Sequence, residues 1–227
     1  MRAAVCAAVA AAVLAMGARG GAAPPAATGA SGPVVVVEFT DPDLSPPHWT
    51  MTLHPDGSGH FRSEMGKVLP GEANEMRVPN VSRDFQVTAK FAESVFETAE
   101  RHDWFNVPCE SHMKVAFQGW KKLSYSGPEG KGSCTFNYSK DRQIQALGDS
   151  MQAVAETILE GERLEMLLQH DPLGLDKEIE ALVEAAQDGR AQQICAIRGI
   201  LERLAGDDDV MVLVRKRAKL LLARAQT

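Results

Sequence analysis

Trp49-Thr50-Met51-Thr52-Leu53 alternates large apolar with small polar residues, His54-Pro55-Asp56-Gly57-Ser58-Gly59 interrupts the alternation, and His60-Phe61-Arg62-Ser63 resumes it. A period of two is the mark of a strand with one buried face, and an Asp-Gly pair between two such runs writes a hairpin. Asp56 and Gly57 make the turn, which sets His54 against Gly59 and Leu53 against His60. A one-sided sheet needs a second layer to cover it, so the fold depends on what surrounds this hairpin.

Upstream, Val34-Val35-Val36-Val37-Glu38-Phe39 is a short apolar run that reads as a strand buried on both faces. Downstream, a polar, Gly-containing link from Gly66 to Asn74 leads to Phe85-Gln86-Val87, a short strand. Phe91, Val95, Phe96 and Ala99 then recur at helical spacing, in a helix expected to stop near Asp103. A second hairpin follows: Val115, Phe117, Leu123 and Tyr125, the turn Gly127-Pro128-Glu129-Gly130, then Cys134, Phe136 and Tyr138, with these seven apolar residues on one face.

Beyond Ser139 the sequence is helical and contains no Trp, Tyr or Phe. Ser139 or Asp141 can cap a helix whose stripe is Ile144, Leu147, Met151, Val154 and Ile158, and Gly161 is expected to weaken or kink it. Leu164, Leu167 and Leu168 continue the apolar side as far as Pro172. Asp176 caps a helix with Ile179, Leu182 and Val183 that Gly189 ends. Ile194, Ile197, Leu201 and Leu204 mark the next, and the last begins at Asp207-Asp208-Asp209 and carries Val214, Ala218 and Leu221. The whole is an α+β fold: an antiparallel sheet of two hairpins plus flanking strands, covered by helices, then a helical C-terminal region. The expected boundaries are a processing segment over 1–30, an α+β domain over 31–158 and a helical region over 159–227. The stripes of the first helix and of the Ile144 helix should both cover the sheet face bearing Val115, Phe117, Leu123 and Phe136.

The N-terminus carries an address. Met1-Arg2 is a basic start, and Ala3 to Met16 is an uncharged, Ala-rich run of about fourteen residues, too short for the roughly 20 that span a bilayer but suited to a secretory signal. Small residues from Ala18 to Ala30 offer the cleavage site, and no Cys follows the run in the position a lipid anchor needs. The Ala bias suggests a bacterial source. No later stretch approaches 18 consecutive apolar residues, so the mature protein is expected to be soluble, in the periplasm or outside the cell, without membrane insertion. The 227-residue chain has 24 basic and 30 acidic side chains, a net charge of -6 that moves to about -8 when Arg2 and Arg19 are cleaved away. That sign opposes binding to a phosphate backbone, so nucleic acid is not an expected partner.

The order from Val34 to Ile158, hairpin with an Asp-Gly turn, short strand, helix, hairpin and helix, resembles small exported bacterial α+β domains of unknown function, which implies a fold class and no activity. Within residues 191–225, Leu201-Glu202-Arg203-Leu204-Ala205-Gly206 with Asp207-Asp208-Asp209-Val210, Val214-Arg215, Ala218 and Leu221 resembles one helix pair of the HEAT-repeat type. That resemblance implies protein contact, and one pair must pack on the rest of the chain because solenoids need about three repeats.

Motifs for chemistry are absent: no G-x-S-x-G, H-E-x-x-H, P-loop, G-x-G-x-x-G or C-x-x-C occurs. His54 and His60 near the turn fall on opposite faces, which argues against a shared metal. Arg101-His102-Asp103 reads as a helix end whose cation favours the dipole rather than as an acid–base pair. Glu156, Glu160 and Glu162-Arg163-Glu165 read as the solvated face of a helix, and Arg215, Lys216, Arg217, Lys219 and Arg224 as the basic end of another. Trp120-Lys121-Lys122 sets an exposed aromatic beside two cations and is the expected contact surface. No cofactor is implied. The expected function is a non-catalytic binding or interaction module of the bacterial envelope, whose partner is another envelope protein. The alternative is a small periplasmic hydrolase, with His102, His112 or His170 brought to a Ser, Cys or Asp by the fold.

Cleavage removes Cys6 and leaves Cys109, Cys134 and Cys195, an odd number in an oxidising compartment. Cys195 reads as a buried free thiol on a helix. Cys109 and Cys134 are either a bridge closing a 26-residue loop or two buried thiols.

Overall fold

A computed structural model describes residues 32–66 and 80–225. The processing segment 1–30 and nearly all of the link from Gly66 to Asn74 lie outside the described residues. Six strands form one antiparallel sheet: β1 (Val34–Thr40), β2 (His48–Leu53), β3 (Ser58–Glu64), β4 (Ser82–Gln86), β5 (Trp120–Gly127) and β6 (Gly130–Phe136), in the order β4-β3-β2-β1-β5-β6. The helices are α1 (Ala89–Arg101), α2 (Arg142–His170), α3 (Leu175–Asp188), α4 (Arg198–Gly206) and α5 (Val212–Arg224). Short 3₁₀ turns cover Asp103–Phe105 and Ile194–Ile197. The fold is α+β, with a helical C-terminal region.

Alternation assigns the faces. Val35, Val37, Phe39, Trp49, Met51, Leu53, Phe61, Leu123, Tyr125 and Phe136 point inward and are buried with Val95 and Ala99 of α1 and with Ile144, Met151, Val154 and Ile158 of α2. Val34, Val36 and Glu38 on the other face of β1 are only half-buried, so that strand is not covered on both sides. An antiparallel sheet needs one covered face, and Thr50, Thr52, Ser124 and Glu38 make the other one wettable.

The first hairpin is one residue out of the expected register: Leu53 pairs with Gly59 and Thr52 with His60. The loop is His54 to Gly57. Gly57 takes the left-handed backbone (φ 81), and Asp56 Oδ1 accepts from the Ser58 N–H at 2.9 Å. His60 therefore sits on the open face, its ring nitrogens 2.7 Å from Asp84 Oδ1 and 3.1 Å from Ser82 Oγ.

Val115 and Phe117 are not sheet residues. They lie before β5, and Phe117 is 47% exposed. Cys109 is joined to Cys134 by a disulfide with Cα atoms 5.7 Å apart, Glu110 accepts from the Asn137 N–H at 2.7 Å, and Gln118 N–H donates to Asn137 Oδ1 at 2.7 Å. These links hold residues 109–118 as a loop beside the sheet end, and Gly119 (φ 86) turns the chain into β5. The inward set on β5 and β6 is Lys121, Leu123, Tyr125, Cys134 and Phe136; Tyr138 lies past the end of β6.

Asp103, Trp104 and Phe105 carry φ values of 49, 56 and 66, a left-handed turn without glycine that costs about 1–2 kcal/mol per residue. Burial offsets the strain: Phe105 is fully buried and Trp104 stacks on Tyr125 at 4.4 Å between centroids. Only glycine fits beneath the indole, since a Cβ at Gly130 would lie 2.3 Å from Trp104 Cδ1.

Asp141 caps α2, accepting from the N–H groups of Gln143 and Ile144 at 2.8 and 3.2 Å. The helix runs unbroken through Gly161 for 29 residues, across the boundary expected at 158/159. Glycine is needed there for close approach: a Cβ at 161 would lie 2.4 Å from Ile197 Cγ2. The N-terminal half of α2 packs in the sheet core, whereas Leu164 and Leu167 pack with Ile179, Leu182, Ile200, Leu204, Val214 and Leu221 in a second core. α3 starts at Leu175 without a side-chain cap; Asp176, expected to cap it, lies inside its first turn and pairs with Arg217 of α5. α5 starts at Val212, after the three aspartates, and Asp208 pairs with Arg215.

Candidate functional site

Where the edge of the sheet core meets the helical core, the chain leaves a cleft of ≈ 660 Å³. Its floor is Phe39 and Trp49, stacked at 5.3 Å, with Ser63 beside them. One wall is the β1–β2 loop, Leu44, Ser45 and Pro46, with Met65; the other is the Gln152, Glu156, Leu159, Glu160, Arg163, Leu167 side of α2. Lys177 and Glu178 of α3 close the end. Leu44 and Met65 are half exposed at the mouth.

The charged groups are tightly placed. Arg163 Nη1 lies 3.1 Å from Glu178 Oε1 and 3.9 Å from Glu160 Oε1, and its Nε–H is buried with no acceptor among the described residues. Glu160 is pushed up to about 8, by burial first and then by a hydrogen bond shared with Glu178, with Arg163 pulling it back. Both causes favour its protonated form, the form that can donate to the Glu178 carboxyl. Burial also raises Glu156, against the charges of Arg190 and Arg163. A carboxyl raised by burial and by a second carboxyl, in a cleft whose lining sets charged side chains beside Phe39, Trp49, Leu44 and Met65, is a candidate site on physical grounds.

Glu160 is therefore not on a solvated helix face. The sequence carried the signal, since Glu156, Glu160, Arg163 and Leu167 recur at helical spacing beside the apolar stripe. Glu162 and Glu165 also leave the solvent: they clamp Arg83 of β4 at 2.7 Å each, and Arg203 of α4 joins Glu165 at 2.7 Å. That network ties sheet to helices.

The expected contact surface divides between the two faces of β5. Trp120 is 46% exposed, edge-on to Phe117 at 6.1 Å, and Lys122 pairs with Glu38 at 2.7 Å on the open face. Lys121 points the other way and is 1% exposed, so it cannot share that surface. Its Nζ lies 3.5 Å from the carbonyls of Gln118 and Asn137 and 4.0 Å from Asp149. Burial lowers its pKa and Asp149 partly restores it. The unfolded chain then binds more protons than the folded one between the lowered value and 10.5, so stability rises with pH over that window. Lys121→Met should remove that rise, and at pH 7 leave the protein equally stable or more stable by up to about 2 kcal/mol. Denaturant titrations at pH 7 and pH 10 check this; a variant that keeps the wild-type pH slope overturns it.

His102 has one ring nitrogen 2.8 Å from the Thr98 carbonyl and the other 3.0 Å from Asp141 Oδ2. Asp141 also caps α2, so this pair joins two helix ends. Cys195 is a free, half-buried thiol in the 3₁₀ turn Ile194–Ile197, raised by burial and hence a poor nucleophile. No helix among the described residues is long and apolar enough to cross a membrane. No protein-family model matches the chain, and no curated protein matches it.

Proposed function

We propose that the chain is an exported, non-catalytic binding module of the bacterial envelope that holds another envelope protein through the cleft between the β1–β2 loop and helices α2 and α3. The observation that carries this reading is the convergence of Glu156, Glu160 and Glu178 from two helices onto a cleft with an apolar mouth. Rigid elements preorganise the polar groups, and half-exposed Leu44 and Met65 offer apolar area around them. The basic start, apolar run and small residues of 1–30 support export.

The raised acid also favours a second reading, a small periplasmic hydrolase, because a protonated carboxyl beside an ionised one is how glycosidic bonds are cleaved. Glu160 and Glu178 share a hydrogen bond, however, whereas carboxyls that work on opposite sides of a scissile bond stand at least about 5 Å apart. Binding is the better reading.

A photo-crosslinking side chain at Leu44, in protein expressed in a bacterial host, tests it. The mature chain should begin between residues 19 and 31. It should give a discrete protein adduct that the same group at Ala223 does not, and Gln at 156, 160 and 178 together should abolish it. Identical adducts from both positions, or none, would overturn the proposal.

A further inference from the structure

We propose that Ser82 is a site of self-acylation: His60 takes the hydroxyl proton, Asp84 orients the imidazole, and the acyl group of an activated ester or thioester is transferred to Ser82 Oγ. The site lies on the open face of the sheet and is independent of the cleft, whose Phe39, Trp49 and Ser63 belong to the covered face.

Strand alternation brings the three groups together. His60 and Asp84 are register partners across β3 and β4, and Ser82 lies two residues before Asp84, so all three side chains leave the sheet on one side. His60 Nδ1 is 2.7 Å from Asp84 Oδ1, and Nε2 is 3.1 Å from Ser82 Oγ. A carboxylate only accepts, so Nδ1 carries the hydrogen and Nε2 is left with the lone pair that accepts from the Ser82 hydroxyl. A hydroxyl on a base that a third group orients is the arrangement of an activated nucleophile. The strand beneath it is pinned: Arg83, between Ser82 and Asp84, points the other way and meets Glu162 and Glu165 at 2.7 Å each. Ser82 is exposed and the His60 ring is 46% exposed, so a carbonyl carbon reaches Oγ without rearrangement. Arg62, the register partner of Ser82, presents a cation on the same face for the charge that develops on the carbonyl oxygen. In the step, Oγ bonds to the acyl carbon, the bond from that carbon to the leaving oxygen or sulfur breaks, and the Ser82 proton passes through His60 Nε2 to the leaving group. The product is an alkyl ester, a poorer acyl donor than the one that made it, so the group stays on Ser82 and the chain is modified rather than turned over.

Treating the mature chain with p-nitrophenyl acetate tests the inference, with nitrophenol release followed by absorbance and the acetyl group placed by peptide mass mapping. An acetyl group should appear on Ser82. His60→Ala should slow that acetylation about 100-fold. Asp84→Asn should slow it too, and Asp84→Glu, which returns the carboxylate, should recover most of the rate; a role only in holding the two strands together would not distinguish Asn from Glu. Ser133, exposed on the same face with Ser124 as its cross-strand partner on β5, is the reference within the wild-type chain. Acetylation of Ser133 as fast as that of Ser82 would overturn the proposal whatever the variants do. So would an unmodified Ser82, or a His60→Ala rate equal to that of wild type.

Discussion

Replacing Glu160 with Gln should make the protein more stable at pH 9, by about 2–3 kcal/mol, and leave it unchanged at pH 5. In the folded chain Glu160 titrates near 8, against 4.5 for an ordinary glutamate. Between those values the folded state holds a proton that the unfolded state has lost, so stability falls as pH rises through the window and stays low above it. The full shift corresponds to a ceiling of about 5 kcal/mol. The side chain is 26% exposed, and an ionised carboxylate can turn partly toward water, which lowers the cost to the figure above. Gln keeps the shape and still donates to Glu178, so it resembles the protonated acid and differs only where wild type ionises. Denaturant unfolding at pH 5, 7 and 9 measures this. Equal differences between variant and wild type at all three values would show that Glu160 is ordinary.

Breaking the Cys109–Cys134 bridge, with Ala at both positions, should cost about 3 kcal/mol and lower Tm by about 6–12 °C. The bridge closes a loop of sequence separation 25, and most of its effect is to restrict the unfolded chain. It also anchors the strained 103–105 turn and the 109–118 loop, so those segments should lose amide protection first. Thermal unfolding with and without reductant gives the check. Wild type should fall toward the variant when reduced, and the variant should not respond; an unchanged wild-type Tm under full reduction would refute the assignment.

Much of the fold was legible because local patterns carry it. The alternation in Trp49 to Leu53, the stripe Ile144, Leu147, Met151, Val154, and the capping Asp141 each depend on neighbours within a turn or a strand pair. The parts misread were those settled by distant partners. Val115 and Phe117 alternate like strand residues, yet a disulfide to Cys134 and hydrogen bonds to Asn137 keep their segment off the sheet. Gly161 looks like a helix break, but its missing side chain is what lets Ile197 approach. The start of α5 moved past Asp207–Asp209 because Asp207 accepts from the Asp209 N–H and closes a turn ahead of the helix.

The sequence by itself determined the α+β class, the inward stripes of β2 and of the Ile144 helix, and the acidic balance, because periodicity and composition are properties of the chain. Lys121, expected at an exposed contact surface, points inward with Leu123 and Tyr125 because it shares their alternation on β5. Only the tertiary structure decided that Glu160 is raised well above an ordinary glutamate. That depends on burial in the fold and on Glu178 arriving from another helix, and the electrostatic energy of a carboxyl is set by which groups stand within a few ångströms and how much solvent remains.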